Sequence, residues 1–291
     1  MSRPIFRYAC WVFLALTLSL RSRASVLYDT LYVNAGTFFT VNGNSFPFKA
    51  FNDTPVFAAQ NSNLSLLPED VLFLTVFNND DEVHGFSVGG TTLYDTDIAS
   101  GSNETIELTF TEPSNLIYYD YLNYPANRYL GLAGMICVHF PVEQFPYYWN
   151  IKEHEKNYNT DLDAGTSVDW TSYYPDYFTI NSWSFPDLQL DPTAKIVQSV
   201  GDIIHIYVAN TGQSSHSLHF HGFHVRIIYS SDASQVNQVK DTVPLRSMQS
   251  VILELIPDKA GQYSVHDHNL VAVTGGGTHP NGMFTIMEIS E

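Results

Sequence analysis

The stretch PEDVLFLTVFN, residues 68–78, has a counterpart in VGDIIHIYVAN, residues 200–210. Each places an aspartate before a run of β-branched and aromatic residues, the composition typical of a β-strand. The surroundings of the two stretches also repeat. A His-Gly turn follows each run, and a Gly-Met strand closes each half of the chain: His84-Gly85 and Gly134-Met135 in the first, His221-Gly222 and Gly282-Met283 in the second. The chain is therefore predicted to contain an internal duplication.

Strand patterns dominate the rest of the sequence, and no segment has the periodicity of a long amphipathic helix. Apolar runs bounded by Gly, Pro, Asn and Asp predict strands at 71–78, 104–110, 115–121, 202–210, 250–256 and 283–289. Short strands at this spacing indicate antiparallel β-sandwiches. Residues 143–175 are polar and rich in Tyr, Asp and Asn, so they are predicted to be a surface linker with one helical turn. The predicted domains are then 25–142 and 176–291.

Residues 1–24 have the pattern of a secretory signal peptide. Arg3 and Arg7 precede a short apolar run, Tyr8–Leu20, and a small-x-small cleavage pattern follows at Ser22–Ala24. The run is too short for a membrane span, so the mature chain is expected to begin near Ser25 and to be secreted, extracellular or periplasmic.

The charge of the chain is strongly negative. The formal net charge is −17, and loss of the leader, which carries four arginines and no acid, makes it −21. Such a surface repels nucleic acid and anionic membranes and attracts cations, including metal ions. Cys10 lies in the leader, so Cys137 is alone in the predicted mature chain and no disulfide is expected.

Histidines concentrate in two short segments of the second half, SHSLHFHGFHV (215–225) and SVHDHNL (264–270). Alternate side chains of a strand share a face, so His219 pairs with His221 and His266 with His268, while Asp267 points away. If the two strands are neighbours, the four imidazoles converge. Imidazole is a common ligand of copper, zinc, nickel and iron, so this face is a candidate metal site.

The segments HSLHFHG (216–222), HDH (266–268) and HPNGM (279–283) resemble the last domain of multicopper oxidases. That family has a His-x-x-His-x-His-Gly stretch and a His-Cys-His stretch, followed by His and Met. In the first half, GLAGMICV (131–138) and IYYDYLNYP (117–125) are similar to strands of ceruloplasmin-type domains. The resemblance implies an all-β chain of two tandem cupredoxin-like, or plastocyanin-like, Greek-key β-sandwich domains, with copper as the cofactor.

Residues are carried over from the family by motif position. His219, His221, His266 and His268 match ligands of the oxygen-reducing copper cluster. His216, His279 and Met283 match ligands of the mononuclear blue copper, and Asp267 stands where that copper has its cysteine. His279 departs from the pattern, because VAVTGGGT lengthens the gap after His268.

Asp267 removes the thiolate on which a blue copper centre depends. Two roles remain open at this stage: an oxygen ligand of a colourless metal site with His216 and His279, or an acceptor that orients the neighbouring imidazoles. The first half is also depleted. Where a three-copper cluster needs two further His-x-His pairs, this chain has Glu82-Val83-His84 and Tyr119-Asp120-Tyr121, so His84 is the sole imidazole there.

Three functions follow as hypotheses. The first is a copper-dependent oxidoreductase without a blue copper, with His266, Asp267 and His268 as its catalytic residues. Its substrate would be a metal ion or a small molecule such as oxygen or nitrite. The second is a non-catalytic copper-binding or copper-buffering protein, and the third is a purely structural pair of domains. The resemblance also implies a homotrimer, in which His84 of one subunit would approach the four imidazoles of the next.

Overall fold

The two repeated stretches form central strands of two different sheets. In the computed structural model, which describes residues 24–89 and 95–291, residues 71–78 and 204–210 are strands β4 and β13. The predicted leader, apart from Ala24, lies outside the described residues. The first half of the chain contains β1 (Val26–Phe39), β2 (Ser45–Asn52), β3 (Leu64–Leu66), β4 (Val71–Asn78), β5 (His84–Val88), β6 (Thr96–Ile98), β7 (Asn103–Thr109), β8 (Ser114–Tyr119), α1 (Ala126–Tyr129) and β9 (Ala133–Val138).

The second half is built mainly of strands as well, with short 3-10 turns at 170–172, 187–190, 233–235 and 270–273. Its elements are β10 (Phe145–His154), α2 (Lys156–Asp163), β11 (Tyr177–Ile180), β12 (Val197–Ser199), β13 (Ile204–Asn210), β14 (His216–Phe220), β15 (Val225–Ser230), β16 (Val239–Lys240), β17 (Thr242–Leu245), β18 (Ser250–Leu255), β19 (Gly261–Asp267) and β20 (Phe284–Ser290). The predicted all-β class is confirmed, and each of the six predicted strands is present.

Each half contains two sheets. Their strand orders are β2-β1-β4-β7 and β3-β9-β8-β5-β6 in the first half, and β11-β10-β13-β18-β15-β16 and β12-β20-β19-β14-β17 in the second. The duplication extends to the pairing. The entry strand runs parallel to the repeated strand (β1 with β4, β10 with β13), and an antiparallel partner follows on its other side (β7 and β18).

Two apolar cores match the two halves. One is built from β-strand residues between Leu31 and Val138, and the other from residues between Tyr147 and Ile289. Burial alternates along β4, where every second residue is buried, because successive side chains of a strand point to opposite faces. A third cluster, which includes Ile117 and Ile252, joins the halves.

The prediction of a surface linker at 143–175 is wrong for its first part. Residues 145–154 form β10, which pairs with β13 and places Trp149 in the core. The polar residues of this strand suggested an exposed position, but they are buried: Glu153 and His154 are almost inaccessible to solvent. The remainder holds α2 and a 3-10 turn. The exact domain boundaries stay a prediction.

No helix in residues 24–89 and 95–291 has the length and apolar character needed to cross a membrane. The longest described helix, α2, has eight residues.

Candidate metal centre

Strands β14 and β19 carry the histidine segments and are neighbours in one sheet. They run antiparallel, with His219 opposite His266. Phe220 and Asp267 are buried on the inner face, whereas His219 and His266 are half-buried on the outer face. The alternation predicted from the sequence therefore holds on both strands.

Four imidazoles come together on this outer face. The ring centroid of His219 lies 4.7 Å from that of His221, 5.7 Å from His266 and 5.5 Å from His268, and His221 and His266 are 5.0 Å apart. His221 and His268 are exposed. The face is thus open to solvent and accessible to ions and small molecules.

One pair within this face is close. The Nε2 atoms of His221 and His266 are 2.9 Å apart. The Nδ1–H of His266 donates to the carbonyl oxygen of Asp267 at 2.8 Å, which leaves its Nε2 with a lone pair directed at His221. Slight burial, then the neighbouring His219 and His266, lower the pKa of His221, which favours the neutral imidazole that binds metals.

This separation suits a metal ion. Two nitrogen ligands at about 2.0–2.1 Å from one ion, at right angles to each other, lie about 2.9 Å apart. His221 and His266 match that distance. Within the described ranges, however, no three of the four imidazoles bring a nitrogen each within 4.8 Å of one another. The face therefore offers one close pair, with His219 and His268 at wider spacing beside it.

Asp267 faces the interior, away from this pair. Its side chain is fully buried, and its Oδ2 lies 2.5 Å from Nδ1 of His216. Its Oδ1 accepts the backbone N–H groups of Asn269 at 2.8 Å and Ser217 at 3.4 Å. The carboxylate thus accepts hydrogen bonds from neighbouring groups, the arrangement expected for the second of the two roles left open by the sequence.

His216 lies between two buried carboxylates. Its Nε2 is 2.9 Å from Oε2 of Glu153, so both ring nitrogens have acidic partners. Burial lowers the pKa of His216, but the hydrogen bonds to Asp267 and Glu153 outweigh it and raise the pKa to about 9. Burial raises the pKa of Glu153, but the bond and the charge of His216, together with the N–H groups of Ser214 and Gln213, outweigh it and lower the pKa to about 2. We call Glu153, His216 and Asp267 the second triad, because they belong to the second half of the chain.

His84 has the same environment in the first half. It is fully buried, with Nδ1 at 2.7 Å from Asp120 Oδ2 and Nε2 at 2.8 Å from Asp80 Oδ2. Burial lowers its pKa, but the bonds to Asp120 and Asp80 outweigh it and leave the pKa raised. We call Asp80, His84 and Asp120 the first triad. By its bonding, His84 corresponds to His216 and not, as the sequence repeat suggested, to His221.

Four of the candidate ligands therefore lie outside the exposed face. His84 and His216 have both nitrogens engaged, so neither is free to bind a metal in this arrangement. His279 is exposed on the loop after β19 and donates its Nδ1–H to the carbonyl oxygen of Val273 at 3.1 Å. Met283 is fully buried in the core of the second half.

A compact acidic set also occurs beside His84. Asp80, Glu82 and His84 are the one group in the described ranges whose ligand atoms all lie within 4.8 Å. The ammonium of Lys49 already bridges the two carboxylates, at 2.6 Å from Asp80 and 3.0 Å from Glu82. An internal cation thus neutralises this set, and it does not compare with the imidazole face as a metal site.

Cys137 is the only cysteine among the described residues, and it lies in the other half of the chain from the four imidazoles. It is fully buried on β9 of the first half, and burial raises the pKa of its thiol. A buried thiol with a raised pKa is a poor metal ligand, so no described cysteine is available to replace the one that Asp267 displaces.

Comparison with known proteins agrees with this architecture. The structure is similar to a blue copper oxidase from Nitrosomonas europaea (TM-score 0.76, 19% identity, 91% of this chain and 86% of that one). It is also similar to a copper nitrite reductase from the same organism (TM-score 0.72, 16% identity, 91% and 94%). A laccase from Botrytis aclada matches with a TM-score of 0.71 and 15% identity, over 91% of this chain and 53% of the laccase.

These likenesses define the class of fold, the cupredoxin-like β-sandwiches of copper oxidases, as the sequence predicted. The family model described as multicopper oxidase matches residues 159–279, which span α2 to the loop that carries His279. The predicted resemblance to multicopper oxidases is thereby confirmed for this segment, and the match supports copper as its metal. No curated protein matches the chain.

Proposed function

We propose that this chain is a copper-dependent oxidoreductase of the multicopper-oxidase type that works without a blue copper. The observation that carries the proposal is the pair of Nε2 atoms of His221 and His266, 2.9 Å apart on an exposed face. Two further imidazoles lie beside them. The ring centroid of His219 is 5.7 Å from that of His266, and the ring centroid of His268 is 5.5 Å from that of His219. Copper bound there would supply one-electron redox chemistry.

The protein's own contribution is to bind and orient. The carbonyl of Asp267 holds the Nδ1 proton of His266, so that this imidazole presents its unprotonated Nε2 to the metal. Nδ1 of His219 lies 2.9 Å from Oγ1 of Thr242, and in the tautomer whose Nδ1–H donates to this hydroxyl, Nε2 of the ring is left for a ligand. The strongly acidic chain, with net charge −17, favours cationic or neutral reactants such as metal ions or oxygen.

A copper-binding protein without turnover is the alternative, and one observation favours it. Asp267 is buried and bonded to His216, so this chain has no thiolate ligand through which electrons would enter the copper site. Such a protein would hold copper outside the cell and release it. The leader pattern of residues 1–24 supports the export that both functions need.

A homotrimer is part of the proposal by family likeness only. His84 cannot serve as the ligand that one subunit would lend to the next, because it is fully buried and both of its nitrogens are bonded. Mass photometry at micromolar concentration tests the assembly by itself, and a pure monomer there would remove the trimer without touching the metal site.

The deciding experiment is copper loading of the chain from Ser25 onward. Metal per chain, optical spectra and EPR are measured, followed by turnover with phenols, metal ions and nitrite. We expect at least one tightly held copper with a type 2 or coupled-pair signal, no intense blue band, and turnover that His266→Ala abolishes. His224→Ala, which changes an exposed histidine outside the cluster, is the matched control.

The outcomes separate the candidates. Tight copper without turnover would support storage over catalysis. Absence of retained copper, or preference for zinc, would overturn both copper functions and leave a structural pair of domains.

A further inference from the structure

In the two triads, the hydrogen bonds on the Nδ1 side of the histidine join equivalent atoms. In each, Nδ1 of the histidine pairs with Oδ2 of an aspartate at the end of the neighbouring strand: His84 with Asp120, His216 with Asp267. Oδ1 of that aspartate accepts two backbone N–H groups, from the residue after the histidine and from the residue two positions after the aspartate. The duplication has therefore preserved a buried clamp between two strands in each half.

The two clamps differ in what flanks the aspartate. Asp120 stands between Tyr119 and Tyr121, whereas Asp267 stands between His266 and His268. The first clamp therefore has no imidazole next to its aspartate. The second has the same bonds, but the backbone it fixes carries imidazoles on the outer face. The chain itself supplies an internal comparison between a clamp with metal-binding neighbours and one without.

The second clamp is linked to the metal-binding face through short contacts. The carboxylate of Asp267 is held by His216, and the carbonyl of the same residue accepts the Nδ1–H of His266 at 2.8 Å. The N–H of His268 donates to the carbonyl of Ser217, next to His216, at 2.7 Å. Fixing His216 therefore fixes the peptide groups from which both His266 and His268 extend.

Glu153 anchors the other side of His216. Its Oε2 pairs with Nε2 of His216, and its Oε1 accepts the N–H groups of Gln213 and Ser214 at 2.7 and 2.6 Å. These residues lead directly into β14. Glu153 is fully buried on β10, so the register of the imidazole-bearing strand is tied to the core of the second half.

We propose that His216 is a positioning residue for the copper face. By bridging Glu153 and Asp267, it holds the Asp267 peptide in the orientation that selects the Nδ1-protonated form of His266 and presents its Nε2 to the metal. The inference rests on the proposed function for the identity of the metal, but the tautomer that it predicts belongs to the metal-free protein.

Its test compares equivalent changes in the two triads. His216→Gln and His84→Gln each remove a doubly bonded imidazole and keep a hydrogen-bonding side chain of similar reach. Nitrogen-15 NMR of the metal-free proteins reports the tautomer of His266. Copper affinity by chelator competition and the EPR spectrum of the copper-loaded proteins report the site. Glu153→Gln is measured in parallel, in case His216→Gln folds poorly. The amide oxygen of this variant can still accept the N–H groups of Gln213 and Ser214.

We expect His266 to populate a single tautomer in the wild type and in His84→Gln, and a mixture in His216→Gln and Glu153→Gln. Copper affinity should fall by roughly tenfold in the last two, with an altered EPR hyperfine splitting, and stay unchanged in His84→Gln. A lower melting temperature with the wild-type tautomer and copper spectrum would overturn the positioning role. If the wild type binds no copper, the proposed function fails, and the tautomer comparison still decides this inference.

Discussion

The Nε2 atoms of His221 and His266 face each other at 2.9 Å, although one residue lies just beyond β14 and the other on β19. Antiparallel pairing with His219 opposite His266 brings the two segments together. The pair depends on backbone register, because a shift of one residue on either strand would turn these imidazoles into the core.

Loss of one member of this pair should abolish tight copper binding. In His266→Ala, His221 keeps its place but has no partner at chelating distance. The copper dissociation constant should therefore rise at least about a hundredfold, which is a loss of roughly 3 kcal/mol of binding free energy. Competition with a chelator of known affinity measures this directly. His224→Ala should bind copper as the wild type does, and wild-type affinity in His266→Ala would rule the pair out as the site.

Much of this face could be predicted because it obeys a local rule. The period of two along a strand places His219 with His221, His266 with His268, and Asp267 on the other side, whatever the rest of the fold does. The duplication likewise follows from two similar stretches. Both inferences need no knowledge of distant contacts.

The triads could not be predicted, because their members are brought together by tertiary packing. Glu153 is 63 residues from His216 along the chain and lies in a stretch whose polar composition indicated a surface linker. His84 was expected to be available to a metal, since the sequence does not reveal that Asp80 and Asp120 engage both of its nitrogens. Composition reports polarity, but it does not report whether a polar group has a buried partner.

The contribution of the second triad to stability should be largest in mildly acidic solution. The pKa of His216 is raised from 6.5 to about 9, so its contribution is full below pH 6.5 and is lost as the pH rises through 9. The pKa of Glu153 is lowered from 4.5 to about 2, so its contribution is full above pH 4.5 and is lost as the pH falls through 2. Both contributions are complete between pH 4.5 and 6.5.

Calorimetry from about pH 3 to about pH 10 on metal-free protein measures this dependence. Lys152, whose pKa burial lowers to about 7, contributes in the opposite direction over this range, so the comparison is made between variants. We expect the melting temperature of the wild type to fall relative to that of His216→Gln by on the order of 5 °C between about pH 6 and about pH 9.5. The same pH dependence in both proteins would mean that His216 does not contribute to it.

Restoring a cysteine at position 267 should not create a blue copper. Such a centre needs a thiolate with two imidazoles. In Asp267→Cys, Nδ1 of His216 would face the thiolate while Nε2 keeps its bond to Glu153, so this imidazole could serve as a ligand. The second imidazole is missing, because His279 is held on the exposed loop by Val273. We expect copper binding at the exposed face without an intense blue band, measured by optical and EPR spectra. Asp267→Ser controls for loss of the carboxylate, and a blue band seen only with cysteine would contradict the prediction.

Arg128 makes a buried polar contact between the two halves that should contribute to stability. It is fully buried in α1 of the first half and donates from Nη1 to the carbonyls of Thr211 and Gly212 at 2.6 Å each, and from Nη2 to the side chain of Gln213. Arg128→Met keeps the length of the side chain but leaves the buried carbonyl of Thr211 without this donor, whereas the carbonyl of Gly212 keeps the hydroxyl of Ser247. Since a buried acceptor left without a donor costs about 1–3 kcal/mol, the free energy of unfolding should fall by about 2 kcal/mol.

Arg246→Met provides the matched comparison for this substitution. Arg246 pairs with Asp232 at 2.6 Å, but its side chain is 72% exposed, so its removal should change the free energy of unfolding by less than about 1 kcal/mol. Denaturant titration of both variants gives the two values under one condition. Because Thr211, Gly212 and Gln213 lead into β14, Arg128→Met should also weaken copper binding at the imidazole face, whereas Arg246→Met should not. Equal destabilisation by the two substitutions would mean that the buried Arg128 guanidinium contributes no more to stability than an exposed ion pair does.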